Sequence, residues 1–289
     1  MSRYFTNRLA KYAVFISATV SFIVLLAIVV FVFRDGLPAF QEVGFFDLLF
    51  GSTWRPQQGE YGILVMVVGS LQVTAGALLL AVPLGIACAI LLAEVAPPKV
   101  RQLLRPAVEL LVGIPSVVYG LVGMVLLVPA IREYFGGRGF SVLAASIVLT
   151  AMVLPTIISI SEDSIRAVPA SYKEGALALG ATRWQTIRQV LLPAARSGIG
   201  ASIVLGMGRA IGETMAMIMV LGNSIQFAIT PLDMTRTLTG NIAVEINYAS
   251  GIHENALFAT GIVLLIFILI INSIAVVALK RGVRAHTFT

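Results

Sequence analysis

Three ionisable side chains of this sequence lie inside long apolar runs: Glu109, Arg209 and Glu213. An ionised side chain at the centre of a bilayer costs about 2.5–3.5 kcal/mol on insertion scales, so each one requires a partner or water. Glu109 closely follows Arg101 and Arg105, and local pairing at an interface is the favoured interpretation. Arg209 and Glu213 are four residues apart near the middle of one run, which puts both on one face of a helix.

The Arg209–Glu213 pair has two interpretations. It is either a salt bridge that only lets two charges coexist in a membrane, or part of an anion path. In such a path the Arg209 guanidinium binds the substrate, and Glu213 holds and partly neutralises that guanidinium. Spacing alone favours neither interpretation.

The motifs of several other chemistries are missing from the sequence. None of its four lysines follows a glycine, so it has no GxxxxGK[ST] phosphate-binding loop. His253 and His286 lie outside the apolar runs without metal-binding spacing, and no serine stands in a GxSxG elbow. We therefore expect no enzyme site, no metal and no cofactor, and any ATP consumed must be hydrolysed by another chain.

The composition excludes an ordinary soluble domain. Of 289 residues, 58% are apolar and only 12% are charged, which is too few charges to cover a soluble surface. The single cysteine, Cys88, lies in an apolar run, so disulfides are excluded. The net charge of +6 is better explained by membrane topology than by nucleic-acid binding, and no nucleic-acid partner is expected.

Six apolar runs are long enough to cross a hydrocarbon layer of ~30 Å. They comprise residues 12–33, 62–92, 106–131, 142–161, 194–222 and 256–279. The first run follows a basic segment but is too long for a signal peptide, so we retain it as a span. Counted on alternate sides, Lys and Arg number fourteen against five, with Arg209 inside a span. This bias predicts that both termini are cytosolic and that loops 34–61 and 223–255 are external.

The loop at 162–196 is too charged to span a membrane. Its charged side chains include Lys173, Glu174, Arg183 and Arg188. Pro169 fits the start of a helix, Gly180 can adopt the positive φ that ends it, and an apolar pattern restarts at Trp184. The sequence therefore predicts a short helix, a turn and a second amphipathic helix at the cytosolic surface.

This loop resembles the EAA signature of ABC importer permeases, which reads EAA, three residues, Gly, nine residues, and then Ile, any residue, Leu-Pro. The matching positions are Glu174, Gly175, Ala176, Gly180, Leu192 and Pro193. Gly175 replaces the first Ala, and Val190 replaces the Ile. The resemblance implies that the first helix docks into a cleft on an ATPase subunit and carries its closure to the membrane. A loop that merely lies on lipid is the alternative.

Three further motifs resemble a narrower family. Residues 208–216 read GRAIGETMA, residues 113–120 read GIPSVVYG, and residues 236–243 read RTLTGNIA. These motifs are similar to those of the phosphate-specific (Pst) ABC importer permeases, and the first and third favour the C-type, PstC-like subunit. The family's transport-essential Arg and Glu then correspond to Arg209 and Glu213.

The resemblance implies an all-α polytopic membrane protein with six transmembrane helices and the type I ABC importer permease fold. It implies import of inorganic phosphate across a bacterial inner membrane. The implied partners are an A-type permease as heterodimer partner, two ATPase copies, an external phosphate-binding protein and membrane lipid. Residues 1–61 would hold the first span and external loop, residues 62–282 the permease core with coupling loop 162–196, and residues 283–289 a cytosolic tail.

Some alternatives stay open. Arg209 alone cannot distinguish tetrahedral oxyanions, so a permease for molybdate or sulfate fits as well. An ion-coupled secondary transporter would need no docking loop, and no inverted half-repeat is evident. For GIPSVVYG we favour a Pro-kinked helix with close packing over direct ligand contact. The 223–255 loop is either a landing site for the binding protein or a solvated loop.

Overall fold

The computed structural model describes residues 3–284, and this part of the chain is almost entirely helical. Six of its helical stretches are long and apolar enough to cross a membrane. They are Ala10–Glu42, Leu64–Val95, Ser116–Phe135, Val142–Arg166, Arg183–Gly212 and Ile252–Val277. The predicted all-α architecture with six spans is confirmed.

The first half of the described residues contains six α-helices and one short hairpin. The helices are α1 (Arg3–Glu42), α2 (Phe45–Phe50), α3 (Leu64–Ile90), α4 (Pro98–Val112), α5 (Ser116–Val122) and α6 (Val128–Phe135). Two π-helical segments, Leu91–Val95 and Gly123–Leu127, extend α3 and join α5 to α6. The strands β1 (Trp54–Arg55) and β2 (Glu60–Tyr61) pair antiparallel around the 3-10 turn Pro56–Gln58.

The second half is helical, with connections of varied length. Its helices are α7 (Val142–Arg166), α8 (Ala170–Ala178), α9 (Arg183–Gln185), α10 (Leu192–Gly212), α11 (Met215–Val220), α12 (Leu238–Glu245) and α13 (Ile252–Arg284). A π-helical segment, Thr186–Leu191, joins α9 to α10. We call the end of the bundle that carries β1 and β2 the hairpin end, and the opposite end the α8 end.

Helix α7 lies at the centre of the bundle, between α3 and α10. Of its most apolar window, 61% is buried, compared with none of the corresponding window of α1. Small residues allow the close packing, because a Cβ on Gly85 or Gly206 would lie within 2.8 Å of α7 side chains. Helix α1 packs mainly on α13, where Phe31 meets Phe258 edge to face.

Two predicted boundaries are wrong. Residues 34–42 were expected in an external loop, but α1 continues to Glu42 because Ala39 is buried in the cluster that includes Leu257. The predicted run 106–131 is divided, since Pro115 has an extended ψ of 140° and starts a new helix. Its first part belongs to α4, which begins at Pro98, has no buried residue and lies outside the six spans.

Two further predictions are wrong nearer the hairpin end. The predicted run 194–222 is interrupted after Gly212, and α11 begins only at Met215. The segment 223–255, expected to be a long polar loop, contains the helix α12, whose residues Leu238, Thr239, Gly240 and Asn241 are buried. This segment folds back against the bundle, since Leu238 N donates to Ser70 Oγ at 3.0 Å. We call residues 222–245 the return segment.

Candidate transport and coupling sites

The helix break after Gly212 separates the two predicted transport residues. Arg209 lies in the last turn of α10, and Glu213 follows it with an extended ψ of 131°. Glu213 Oε1 accepts a hydrogen bond from Ala216 N (3.2 Å), which satisfies an otherwise unpaired N–H in the first turn of α11. Within residues 3–284, no salt bridge joins Arg209 to Glu213. The predicted shared helix face is therefore wrong, because the helix ends between the two side chains.

The third-span motif lies beside this break. Tyr119 interacts electrostatically with Arg209, and its hydroxyl donates to Leu111 O (3.0 Å) across the Pro115 interruption. A Cβ on Gly120 would stand 2.8 Å from Ala216 Cα, so only glycine permits this approach of α5 to α11. The expected close packing of GIPSVVYG is confirmed at Gly120, whereas the expected Pro kink is an interruption between α4 and α5. The two interrupted helices are neighbours, since α5 approaches α11 at Gly120.

Asn272 is a polar residue of the last span that we did not single out from sequence. Its amide nitrogen lies 4.0 Å from the position of a Cβ on Gly208, the residue before Arg209. Its Oδ1 is buried and has no hydrogen-bond partner among the described residues. The only sequence signal was an amide inside an apolar run, whereas we considered ionisable residues alone.

The return segment reaches the break directly. Thr239 Oγ1 donates to the main-chain oxygen of Glu213 at 2.9 Å. Asn223, with φ of 50°, donates from Nδ2 to Ile218 O in α11, and Arg236 Nε donates to Asn223 O. The return segment is therefore attached both to the break and to α11.

A buried charge cluster holds the return segment. Arg236 Nη1 donates to Glu245 Oε1 (2.6 Å) and to Asn241 Oδ1 (2.9 Å), and its side chain is 11% exposed. Glu245 Oε2 also accepts from Trp54 Nε1 (2.7 Å) and pairs with His253 Nε2 (2.9 Å). Further hydrogen bonds stabilise such a buried pair, and Asn223 O, Trp54 and His253 supply three of them here. The cluster ties the hairpin, the return segment and α13 together.

The coupling loop has the predicted helix–turn–helix form. Pro169 precedes α8, and Gly180 has a φ of +85° at the turn that ends it. The next helix starts with a capping box, in which Thr182 and Gln185 exchange side-chain and main-chain hydrogen bonds. The expected restart at Trp184 is therefore confirmed within one residue, since α9 begins at Arg183.

The predicted coupling residues lie on an exposed surface at the α8 end. No residue of α8 is buried: Glu174 and Gly175 are exposed, Ala176 is half-buried, and Gly180 follows as an exposed turn. Nearby, Leu179 is 90% and Trp184 is 60% exposed. This apolar exposure is suited to a protein surface or to lipid.

The remaining predicted coupling residues anchor the loop to the bundle. Leu192 packs on a small core that contains Ala89 and Ile165, and Pro193 occupies the first turn of α10. Lys173 forms a salt bridge with Glu94 in the π-helical end of α3. These contacts join the coupling loop to spans two, four and five.

An acidic residue near the end of α7 lies close to three arginine side chains. Glu162 is almost fully buried, and its Oε1 lies 3.5 Å from Arg101, 3.6 Å from Arg105 and 3.4 Å from Arg166. Arg105 also contacts Glu109 at 3.1 Å, so the expected local pairing of Glu109 is confirmed. The hydrogen bond with Glu109 is the main cause that raises the pKa of Arg105. This cluster joins α4 to α7 where the predicted coupling loop 162–196 begins.

The chain is similar to known transport proteins over most of its length. Residues 81–285 match the family described as "Binding-protein-dependent transport system inner membrane component". The probable ABC transporter permease protein YqgH of Bacillus subtilis is 44% identical, over 85% of this chain and 83% of that protein. The phosphate transport system permease protein PstC of Haemophilus influenzae is 35% identical, over 81% of this chain and 82% of that protein.

Proteins of lower sequence identity also match most of the chain. The probable phosphate transport system permease protein PstC of Methanocaldococcus jannaschii is 32% identical, over 91% of this chain and 90% of that protein. A solved inward-facing structure of the MetNI methionine ABC transporter superposes with a TM-score of 0.56 at 22% identity. The match covers 81% of this chain and 99% of the solved chain, and it shows the fold alone.

Proposed function

Because the chain belongs to the family of binding-protein-dependent transport system inner membrane components, we propose that it is a membrane-spanning subunit of an importer for inorganic phosphate. It is a multi-pass membrane protein of the ABC importer permease fold. The substrate assignment rests on the phosphate permease relatives and on the motifs around Arg209.

The observation that carries the proposal is the arrangement at the break of α10. Arg209 is half-buried in a span, while the nearest candidate carboxylate in sequence, Glu213, is engaged with Ala216 N. A guanidinium with this placement offers a planar, permanently charged fork to an oxyanion that passes through the membrane. A pair with only a neutralising task would instead keep its two charges in contact.

The partners follow from the exposed coupling loop and the family. We propose that α8, with Glu174, Gly175 and Ala176, docks on an ATPase subunit, of which the complete importer contains two copies. An A-type permease would complete the membrane part, and an external binding protein would deliver phosphate at the hairpin end. The α8 end and both termini then face the cytosol, in accordance with the charge bias.

The proposal is tested by transport in reconstituted vesicles. The purified complex of this chain, its companion permease and its ATPase is placed in liposomes with loaded binding protein outside and ATP inside. We expect ATP-dependent accumulation of labelled phosphate, with sulfate and molybdate transported far more slowly. Uptake of sulfate or molybdate in preference to phosphate would assign another oxyanion, and uptake that needs an ion gradient but no ATP would contradict the importer.

A further inference from the structure

The main-chain oxygen of Glu213 is bound by a residue from a distant part of the chain. Thr239 Oγ1 donates to it at 2.9 Å, across 26 residues of sequence. Glu213 is the residue at which α10 stops, so its carbonyl has left the helical ladder. Thr239 is only 7% exposed, which directs its hydroxyl at the protein rather than at bulk water.

The position of Thr239 is itself fixed. Thr237 Oγ1 accepts from Gly240 N at 3.1 Å, which caps the start of α12, and it lies 3.2 Å from Thr239 Oγ1. Leu238 N donates to Ser70 Oγ in α3 at 3.0 Å. The first turn of α12 is therefore held both by its own cap and by a neighbouring span.

The buried charge cluster makes α12 a rigid unit. Arg236 precedes the helix and Glu245 is its last residue, and the two side chains are joined by a 2.6 Å hydrogen bond. Glu245 is held in turn by Trp54 and His253. Thr239 is thus presented to the break by a segment that cannot easily move alone.

The break competes with a regular helix. If the Glu213 carbonyl lost its partner, α10 could continue through Glu213, since nothing lies within 4 Å of a Cβ built on Gly212 and no proline interrupts the sequence here. A continuous helix would place Glu213 four residues after Arg209, the spacing at which a carboxylate and a guanidinium pair. The pair would neutralise the cation that the anion path needs.

We propose that Thr239 is a positioning residue for transport, whose hydroxyl holds the helix break open and so keeps the Glu213 carboxylate away from Arg209. The inference rests on the proposed function and deepens it, because it assigns the buried Thr-Leu-Thr turn of the return segment to the anion path. Thr239 does not bind the substrate itself. It acts through the conformation of Glu213.

The experiment measures phosphate transported per ATP hydrolysed in the reconstituted complex. The variants are Thr239→Val, which keeps the shape without the donor, Thr239→Ala, and Thr239→Ser, which keeps the donor. Thr260→Val is the matched control, because Thr260 is also buried and its hydroxyl donates to Ala256 O within its own helix, α13. A hydroxyl that only stabilises the fold would lower assembly, ATP hydrolysis and transport together.

We expect Thr239→Val and Thr239→Ala to lower the transport-to-ATP ratio by roughly threefold to tenfold, the range for one hydrogen bond. Thr239→Ser should keep the ratio within about twofold of the native value, and Thr260→Val should leave it unchanged. ATP hydrolysis and copurification with the ATPase should stay near native for all four variants. If Thr239→Val does not assemble, Thr239→Ala is compared with Thr239→Ser in the same assay.

A native transport-to-ATP ratio in Thr239→Val overturns the inference, because transport would then not need the hydroxyl donor. An equal loss in Thr239→Val and Thr239→Ser also overturns it, because the loss would then come from altered packing. Failure of the proposed function would look different. The native complex would then carry sulfate or molybdate rather than phosphate, and the same ratio measured with that anion would still test Thr239.

Discussion

Arg209 and Glu213 have different surroundings although they are close in sequence. Glu213 is bound through both its carboxylate and its carbonyl, to Ala216 N and to Thr239 Oγ1. Arg209 interacts with Tyr119, which belongs to another interrupted helix. A residue with two polar contacts at a break is suited to shaping the site, whereas a guanidinium that forms no salt bridge with Glu213 is suited to binding an anion.

Replacement of Arg209 tests that difference. Arg209→Gln, alone or with Glu213→Gln, should insert and assemble but lower phosphate uptake at least about tenfold, because hydrogen bonds to a charged group are each worth roughly 1.5–3 kcal/mol. Arg209→Lys should be impaired too, since an ammonium lacks the bidentate fork. Uptake of labelled phosphate into vesicles is the measurement.

The control for this series is Arg8→Gln, at an exposed site near the start of α1. It should retain native uptake, which separates the effect at Arg209 from a general loss of positive charge. A double variant of Arg209 and Glu213 that transports phosphate near the native rate would assign both residues to structure alone.

Polar contacts anchor individual helices at both ends of the bundle. At the hairpin end, α12 carries Thr239 to the break, and the Arg236–Glu245 pair fixes that helix. At the α8 end, α8 is joined to α3 through Lys173 and Glu94. Since α8 buries none of its residues in this chain, the docking on an ATPase that we propose would use this exposed surface.

Gly180 tests the coupling element. Gly180→Val should distort the turn, because φ is +85° there and a β-branched residue is strongly disfavoured at positive φ. Together with Glu174→Lys, it should give an inserted protein that no longer copurifies with its ATPase. Copurification from detergent and ATP-driven uptake are the measurements.

Gly59→Val is the matched control for the turn. Gly59 also has a positive φ (+75°) with nothing within 4 Å of a Cβ, but it lies at the hairpin end. The control should retain the ATPase even if the hairpin is strained. Native coupling in the Gly180→Val and Glu174→Lys double variant would mean that the loop lies on lipid.

The whole molecule is a helix bundle with α7 at its centre and α1 at its edge. The six spans alternate in direction, so the return segment and the coupling loop are at opposite ends. The buried clusters are also separated, with Glu245 near the hairpin end and Glu162 near the α8 end. The division into residues 1–61, 62–282 and 283–289 stays a prediction.

The orientation of the bundle is tested by cysteine labelling in sealed cells, after Cys88→Ala removes the native thiol. Ser52→Cys and Thr230→Cys are exposed at the hairpin end and should label from outside. Ser171→Cys and Gln185→Cys are exposed at the α8 end and should label only after permeabilisation. External labelling of the second pair would mean that the bundle has the opposite orientation in the membrane.

Local properties of the sequence were sufficient to predict the spans and the helix–turn–helix form of the coupling loop. A span can be predicted from its length and hydropathy, because in lipid each segment must form the hydrogen bonds of its own main-chain groups. Gly180 needed only short-range turn chemistry, and Glu109 needed only a partner four residues away, Arg105. Arg209 and Glu213 could be selected because ionisable residues in apolar runs are costly.

Contacts between distant segments determined the geometry of the site. Whether α10 continues past Gly212 depends on Thr239, which competes with the helical ladder from 26 residues away. Likewise, the partners of Glu162 on α4 and of Glu245 on β1 come from other elements. A helix break and a buried charge are stabilised by groups that periodicity along one segment cannot reveal, so these features required the packed bundle.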